Sequence, residues 1–299
     1  MSLLDGRVAI VTGAGRGVGR AYALKMAEHG AKVVVNDLGS ATTGAPTQES
    51  PAQEVVETIR ARGGTAIVDA SDVADWNGAK SMVAAAIENF GRLDVLVNNA
   101  GILRDRMLVN MSEDEWDSVI KVHLKGTFAP SHHAANHWRM EQKAGREVDA
   151  RIINTTSHSA LFANVGQVNY AAAKAGIASF SQVAARELQR YGVTVNALAP
   201  RANTRMTEGL REWTPEQLEK RDPEWIAGFV AWLASKESRY ISGRVFEVWG
   251  YGIAVAESWQ HGPITEASKD PTVLGPRIAQ IIKFARANAG IDRDTWLDP

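Results

Sequence analysis

The 299-residue chain contains no cysteine, and this absence excludes several kinds of chemistry at once. Disulfide bonds, thiol nucleophiles and cysteine metal ligands are all impossible, and the composition fits a cytoplasmic protein. No apolar run reaches the length of a bilayer-spanning helix, and the first residues carry neither the basic nor the apolar region of a signal peptide. We therefore expect a cytoplasmic protein with no membrane partner.

An excess of either charge is also missing. The formal net charge is -1, and no polybasic segment interrupts the sequence. Nucleic acid is therefore not an expected partner. The hydrophobic content of 45% is that of an ordinary globular protein with a sizeable core.

The histidines do not form a recognisable metal motif. His133 and His137 have the i, i+4 spacing of a two-histidine metal pair, but the sequence HAANH lacks the glutamate of HExxH and offers no third ligand. We therefore predict no metal site and expect this helix face to meet solvent or another subunit.

A βαβ unit opens the chain. Residues 8–11 predict a strand, residues 20–28 a helix and residues 33–35 a second strand, with the glycine-rich turn TGAGRGVG at residues 12–19 between the first two. Its glycines depart from the GxGxxG spacing but would let the backbone approach a pyrophosphate at a helix N-terminus. Asp37 closes the second strand about 20 residues later, as a ribose-binding carboxylate should. Asp37 favours NAD over NADP, whereas Arg16 argues for NADP.

The alternation of strands and helices continues to about residue 250. Strands are predicted at 65–68 and 95–97, and helices at 51–62 and 76–90, followed by long helices at 113–139 and 167–191. This order predicts an α/β protein with a doubly wound parallel sheet flanked by helices, in a single domain of residues 1–250 with a C-terminal extension, residues 251–299. Polar and small residues follow the third and fourth strands, at the sheet edge where ligands bind: Asp72, Val73, Asn99, Ala100 and Gly101.

The sequence from residue 151 to 177 contains a candidate proton-transfer device. An apolar strand ends just before Ser157, and an alanine-rich helix carries Tyr170 and Lys174 four residues apart, hence on one face. A phenol has a pKa of about 10, and a cation nearby would favour its phenolate. Ser157 would donate a hydrogen bond to a substrate oxygen while Tyr170 exchanges its proton, which is general acid/base catalysis on an alcohol or carbonyl.

These motifs together resemble the classical short-chain dehydrogenase/reductase family. The resemblance rests on TGAGRGVG, NNAG at 98–101, Ser157 thirteen residues before Tyr170, YAAAK, and VNALAP at 195–200, and it covers residues 4–250 approximately. It implies a Rossmann-type fold, a nicotinamide cofactor, and a homodimer or homotetramer formed through the two long helices. It implies Ser157, Tyr170 and Lys174 as catalytic residues. The implied cofactor site comprises Gly13, Arg16, Gly17, Val18, Gly19, Asp37, Asp72, Val73, Asn99, Ala100, Gly101, Tyr170, Lys174, Pro200 and Thr204.

Further motifs are similar to one subgroup of that family, the (3R)-hydroxyacyl-CoA dehydrogenase domains of peroxisomal multifunctional enzymes of type 2. They are VNDLG at 35–39, NNAGILRDR at 98–106, VHLKGTF at 122–128 and FEV at 246–248. The resemblance implies NAD-dependent oxidation of a (3R)-3-hydroxyacyl-CoA to the 3-oxoacyl-CoA. His123 stands where most of the wider family has an asparagine that holds a water near the catalytic lysine. It would serve either in that proton relay or in helix packing.

The substrate is less closely defined. Residues 206–225 should form a flap over the site, and Leu210, Trp213, Leu161, Phe162 and Val165 would either line a wall for a hydrophobic or acyl-CoA substrate or pack the flap in place. His158, beside Ser157, is a further candidate for substrate contact. A hydroxysteroid of the 17β type, or a steroid side-chain CoA, is the alternative substrate. A non-catalytic dinucleotide-binding regulator is the alternative of another class, although such a protein has no need of Ser157, Tyr170 and Lys174 together.

Overall fold

Strands and helices alternate along the chain, which the computed structural model describes over residues 2–45, 50–203, 214–257, 259–286 and 288–289. The strands are β1 (Val8–Thr12), β2 (Lys32–Asn36), β3 (Thr65–Asp69), β4 (Val95–Asn98), β5 (Ala150–Thr155), β6 (Val193–Arg201), β7 (Val245–Trp249) and β8 (Gly252–Ala256). The α-helices are α1 (Gly17–Glu28), α2 (Pro51–Ala61), α3 (Trp76–Phe90), α4 (Glu113–Ile120), α5 (Gly126–Lys143), α6 (His158–Phe162), α7 (Val168–Leu188), α8 (Pro215–Glu219), α9 (Pro223–Leu233) and α10 (Leu274–Phe284).

All the strands join one sheet in the order β3-β2-β1-β4-β5-β6-β7-β8, parallel except for β8, which pairs antiparallel with β7. Apolar side chains of α1, α2 and α9 form a core on one face, and those of α3, α5 and α7 form a core on the other. Because β1, β4 and β5 are covered on both faces, they are buried along their whole length. The prediction of a doubly wound α/β sheet is confirmed.

The helix predicted at residues 113–139 is in fact interrupted. It begins with a capping box in which Ser112 and Glu115 satisfy each other's backbone N–H groups, and α4 ends at Ile120. A π-helical turn, Lys121–Lys125, follows before α5 continues to Lys143. Sequence periodicity does not reveal such a turn because it adds a single residue to an otherwise helical pattern.

Two other boundaries differ from the predicted ones. Helix α1 begins at Gly17, so the last glycines of the turn already belong to its first turn. The sheet continues past residue 250, because β8 lies within the predicted C-terminal extension. Beyond β8, no residue of α10 is buried. Among the described helices, none combines the length and the apolar character that a bilayer crossing requires.

Candidate active site

The turns that follow β1 and β4 are packed tightly against each other. The amide of the Asn99 side chain donates to the carbonyl oxygens of Thr12 and Gly13, at 3.0 and 3.2 Å. A Cβ on Gly13 would lie 2.8 Å from Cα of Ala100, and one on Gly19 would lie 2.2 Å from the Gly13 oxygen. These glycines are therefore required by the close approach of the backbone, as expected of a turn that cradles a pyrophosphate.

Asp37 lies immediately beside the glycine-rich turn. Its carboxylate accepts hydrogen bonds from the backbone N–H of Gly15 at 2.9 Å and of Gly39 at 2.8 Å. Both bonds hold the carboxylate at the carboxyl end of β2, where Arg16, the residue before α1, lines the same cleft. Asp37, predicted to bind the ribose of NAD, and Arg16, which would favour NADP, therefore line the same cleft.

A cavity of about 390 Å³ opens at this edge of the sheet. Ten of the predicted cofactor residues line it: Gly13, Arg16, Gly17, Val18, Asp37, Asp72, Val73, Asn99, Ala100 and Gly101. Pro200 lies on β6, at the same carboxyl edge, and Thr204 lies outside the described residues. The lack of Cβ atoms at the glycines of the turn, together with a carboxylate at the end of β2, fits an elongated dinucleotide.

Ser157, Tyr170 and Lys174 are brought together by β5 and α7. Ser157 precedes α6, just beyond β5, and its hydroxyl is near enough to Tyr170 to lower the pKa of the phenol. Lys174 lies one helical turn further along α7, with Nζ 5.7 Å from the centre of the Tyr170 ring. The ammonium donates to the carbonyl oxygen of Thr155 at 2.7 Å. The three side chains predicted to be catalytic thus form one cluster beside the cleft.

Burial determines the proton affinities of this cluster. It raises the pKa of Tyr170, although the hydrogen bond with Ser157 acts in the opposite direction. Burial also lowers the pKa of Lys174 to about 7. The pattern of residues predicted that the lysine cation would lower the pKa of the phenol. The pKa of Tyr170 is instead raised, and Lys174 is not among the groups that shift it.

His123 lies at the back of the cluster, on the π-helical turn. Its ring meets the Tyr170 ring edge-on, with 5.1 Å between the centres, and Nε2 lies 2.7 Å from the carbonyl oxygen of Ile102. Burial lowers the pKa of His123 to about 3, so the imidazole is neutral at physiological pH. Nδ1 is buried and has no hydrogen-bond partner among the described residues. His123 therefore packs against Tyr170 and still offers a ring nitrogen to a relay.

His158, the candidate for substrate contact, is paired with a carboxylate of β7. Its Nε2 lies 3.0 Å from Oε2 of Glu247 on β7, and both side chains are nearly buried. The pair connects the segment after Ser157 to β7, two strands away from β5 in the sheet. Nothing in the sequence links His158 to Glu247, because the contact joins elements distant along the chain.

Asn169 holds the start of α7 in place, and the sequence analysis did not predict this role. It is fully buried, and its side-chain amide donates to the carbonyl oxygens of Arg104 and Glu115 at 2.9 and 3.0 Å. Its Oδ1 accepts from the backbone N–H of Tyr170 at 2.7 Å. Asn169 therefore fixes the first turn of α7 at Tyr170. In the sequence, the only indication of this role is that an asparagine directly precedes Tyr170.

The histidines of α5 take part in an aromatic cluster. The ring centres of His132 and His133 lie 4.7 and 4.4 Å from that of Trp76, and His133 Nε2 lies 3.1 Å from the Trp76 carbonyl oxygen. Across the described part of the chain, no group of three histidine, aspartate or glutamate side chains is arranged to hold a metal ion. Of the predicted apolar wall, Phe162 contacts His158 and Val165 is exposed, while Leu210 and Trp213 lie outside the described residues.

Comparison with known proteins identifies the family. The family model for short chain dehydrogenases matches residues 7–215. The chain belongs to the short-chain dehydrogenase family. A hydroxyacyl-CoA dehydrogenase of Mycobacterium tuberculosis, ChsB1, is 44% identical over 83% of this chain and 78% of its own. A short chain dehydrogenase from Mycobacterium avium has a solved structure with a TM-score of 0.87 and 52% identity, covering 96% of this chain and 98% of that one.

A third relative is a larger protein. The peroxisomal multifunctional enzyme type 2 of Drosophila melanogaster is 49% identical over 77% of this chain, but the match spans only 36% of the fly enzyme. The similarity confirms the subgroup that the sequence motifs indicate. As a short-chain dehydrogenase, the chain is an oxidoreductase with a nicotinamide dinucleotide cofactor.

The close packing of the glycine-rich turn yields a test. The Gly19→Ala variant should lose affinity for NADH and NADPH by about 100-fold or more, because the added Cβ would collide with the Gly13 oxygen and displace the turn that holds the pyrophosphate. The affinity is measured by titration of cofactor fluorescence. Gly228→Ala is the matched control, since Gly228 also lies in a helix and has open space around its Cα. Equal affinities in both variants would show that the turn does not hold the cofactor.

Proposed function

We propose that this protein oxidises a (3R)-3-hydroxyacyl-CoA to the 3-oxoacyl-CoA, with NAD as the hydride acceptor. The observation that carries the proposal is the cluster of Ser157, Tyr170 and the buried Lys174 beside a cleft lined by the predicted cofactor residues. An intact set of proton-transfer groups next to a cofactor cleft supports an enzyme rather than a dinucleotide-binding regulator.

The chain's own residues handle the proton and the substrate oxygen. Tyr170 accepts the hydroxyl proton at its phenolate oxygen, while Ser157 Oγ holds the same substrate oxygen by a hydrogen bond. Lys174, held by the Thr155 carbonyl, faces the Tyr170 ring and supports the ribose of the cofactor. A nicotinamide bound in the cleft would supply the hydride acceptor. His123 is proposed to join the relay through Nδ1, or to serve by packing alone.

Asp37 supports NAD as the cofactor. Its carboxylate is fixed at the carboxyl end of β2 by two backbone N–H groups. A carboxylate there accepts hydrogen bonds from ribose hydroxyls and repels the 2′-phosphate of NADP. Arg16 lines the same cleft and is the group that would favour NADP, so the preference is decided by experiment.

The substrate class rests on the relatives. The M. tuberculosis protein is named a hydroxyacyl-CoA dehydrogenase, and the fly protein is a peroxisomal multifunctional enzyme. We further propose a cytoplasmic homodimer or homotetramer formed through α4, α5 and α7. Exposed apolar side chains on those helices support such an interface: Trp116, Phe128 and Val183. Residues 1–250 are proposed as the catalytic unit and residues 251–299 as its extension, whose first strand, β8, adds to the edge of the sheet.

A steady-state assay tests the reaction and the cofactor together. Purified protein should reduce NAD with a (3R)-hydroxyacyl-CoA series, with kcat/KM at least about tenfold higher than with NADP, because Asp37 disfavours the added phosphate. Reduced cofactor is followed by absorbance. Turnover of a 17β-hydroxysteroid without turnover of any acyl-CoA would replace the proposed substrate, and a preference for NADP would assign the dominant role to Arg16. No turnover on any substrate would favour the regulator.

Removal of the phenol tests the proton step. Tyr170→Phe should lower kcat by roughly 10² to 10⁴-fold, because the proton acceptor is lost. Binding of NADH should stay within about twofold of the native value, since the ring and its contact with His123 remain. Tyr240→Phe, a change at an exposed tyrosine, is the control and should leave both quantities unchanged. Substantial residual turnover in Tyr170→Phe would exclude Tyr170 as the proton acceptor.

The pH dependence provides an independent test of the same cluster. The Ser157 hydrogen bond opposes the rise in the Tyr170 pKa, so Ser157→Ala should raise that pKa further. Oxidation requires the deprotonated tyrosine, and the rising limb of its pH–kcat profile should therefore move to higher pH. Profiles of the native and Ser157→Ala proteins are compared under saturating cofactor. A shift to lower pH, or none, would contradict the assigned hydrogen bond.

A further inference from the structure

The segment after β2 forms part of the cofactor cleft. Residues 40–44 line the same cavity as Gly13 and Asp37. Within this segment the backbone N–H of Ala41 donates to the Ala45 oxygen at 2.8 Å, and that of Gly44 donates to the Ala41 oxygen at 2.9 Å. Residues 41–45 therefore form a closed turn of their own, which we call the β2 loop.

The β2 loop is attached to the segment that follows β4. Leu103 donates its backbone N–H to the Thr42 oxygen at 3.0 Å, and Arg104 donates its side-chain Nε to the Thr43 oxygen at 2.7 Å. Gly44 also approaches the Ile102 side chain, because a Cβ built on it would lie 3.3 Å from Ile102 Cδ1. One backbone bond and one charged side chain thus hold the loop against residues 102–104.

Residues 102–104 are themselves fixed by the catalytic elements. Both backbone polar groups of Ile102 lie within hydrogen-bonding distance of His123 Nε2, at 2.7 and 3.1 Å. The Arg104 carbonyl oxygen accepts from Asn169, whose Oδ1 accepts the Tyr170 N–H. The anchor of the β2 loop is therefore a segment that is held rigid by the same buried groups that hold Tyr170.

Arg104 is suited to this task by its geometry. A bond from a charged donor to a carbonyl oxygen is stronger than a neutral one, and the Nε–H of arginine has a fixed direction in the guanidinium plane. Arg104 is half-buried at the edge of the cleft, whereas Thr43 is exposed, so the bond itself lies at the surface. The bond restrains the β2 loop through the fixed direction of its charged donor and not through exclusion of water.

We propose that Arg104 is a positioning residue for the cofactor, which it retains by holding the β2 loop closed against the cleft. The side chain acts through Thr43 and need not touch the cofactor. This inference rests on the cofactor chemistry of the family and not on the identity of the substrate. Its failure is therefore distinguishable from a failure of the proposed reaction.

The test measures cofactor binding and loop order in the absence of substrate. Arg104→Met removes the donor but keeps the length and apolar part of the side chain. The dissociation constants of NADH and NADPH should rise about five- to tenfold, mostly through faster dissociation, because a loosened loop must be ordered again on binding. Hydrogen exchange of the Ala41 and Gly44 amides, measured without cofactor, should become faster in the same variant.

Two further variants separate this role from its alternatives. Arg106→Met is the matched control, because Arg106 lies two residues away and pairs with Glu115 outside the β2 loop; it should change neither binding nor exchange. Arg104→Lys keeps the charge but has a methylene where arginine has Nε.

Each outcome has a defined meaning. Native affinity in Arg104→Met would overturn the proposal. Native affinity in Arg104→Lys, with loop amides that still exchange fast, would also overturn it, because it would show that the charge at residue 104 contacts the cofactor directly. Weak binding and fast exchange in Arg104→Lys, as in Arg104→Met, would support the attachment of Nε to Thr43. A native protein that binds neither NADH nor NADPH would remove the premise.

Discussion

The reversal of strand order between β1 and β4 is the constraint on which the rest of this structure depends. Strands added on either side of this pair carry their connections to opposite faces of the sheet, and the two turns at the carboxyl ends diverge to leave a cleft. The turns remain packed at their bases through Asn99 and the glycines at 13 and 19. A cofactor of the dinucleotide type fits there because the glycines let the backbone of the turn approach it closely.

A second property follows from the same architecture, because the groups beside the cleft are removed from water. Burial lowers the pKa of His123 to about 3 and that of Lys174 to about 7, and it raises that of Tyr170. Each shift favours the neutral form, since the interior of the sheet stabilises charge poorly. The raised pKa favours the protonated Tyr170 that can donate a proton, whereas oxidation of an alcohol requires its deprotonated form, so the direction of the reaction should depend on pH.

The hydrogen bonds around residues 102–105 connect these two regions. His123, Asn169 and Gln167 each contact this segment, and the β2 loop is attached to its outer side. The segment is thus held from the catalytic side and itself holds a wall of the cofactor cleft. Such an arrangement makes the placement of Tyr170 and the shape of the cleft parts of one rigid unit.

Much of this could be predicted from the sequence, because it depends on local pattern. Continuous apolar runs mark the buried strands β1, β4 and β5, glycines mark the turn that must approach a ligand, and the i, i+4 spacing of Tyr170 and Lys174 places both on one face of α7. Other features depend on the tertiary structure, because they involve residues that are far apart in the chain. The pairing of His158 with Glu247, the attachment of Arg104 to the β2 loop and the depressed pKa of Lys174 have no local signal. They arise when parallel strands bring distant segments to one edge and packing excludes water, and neither event is encoded in the spacing of neighbouring residues.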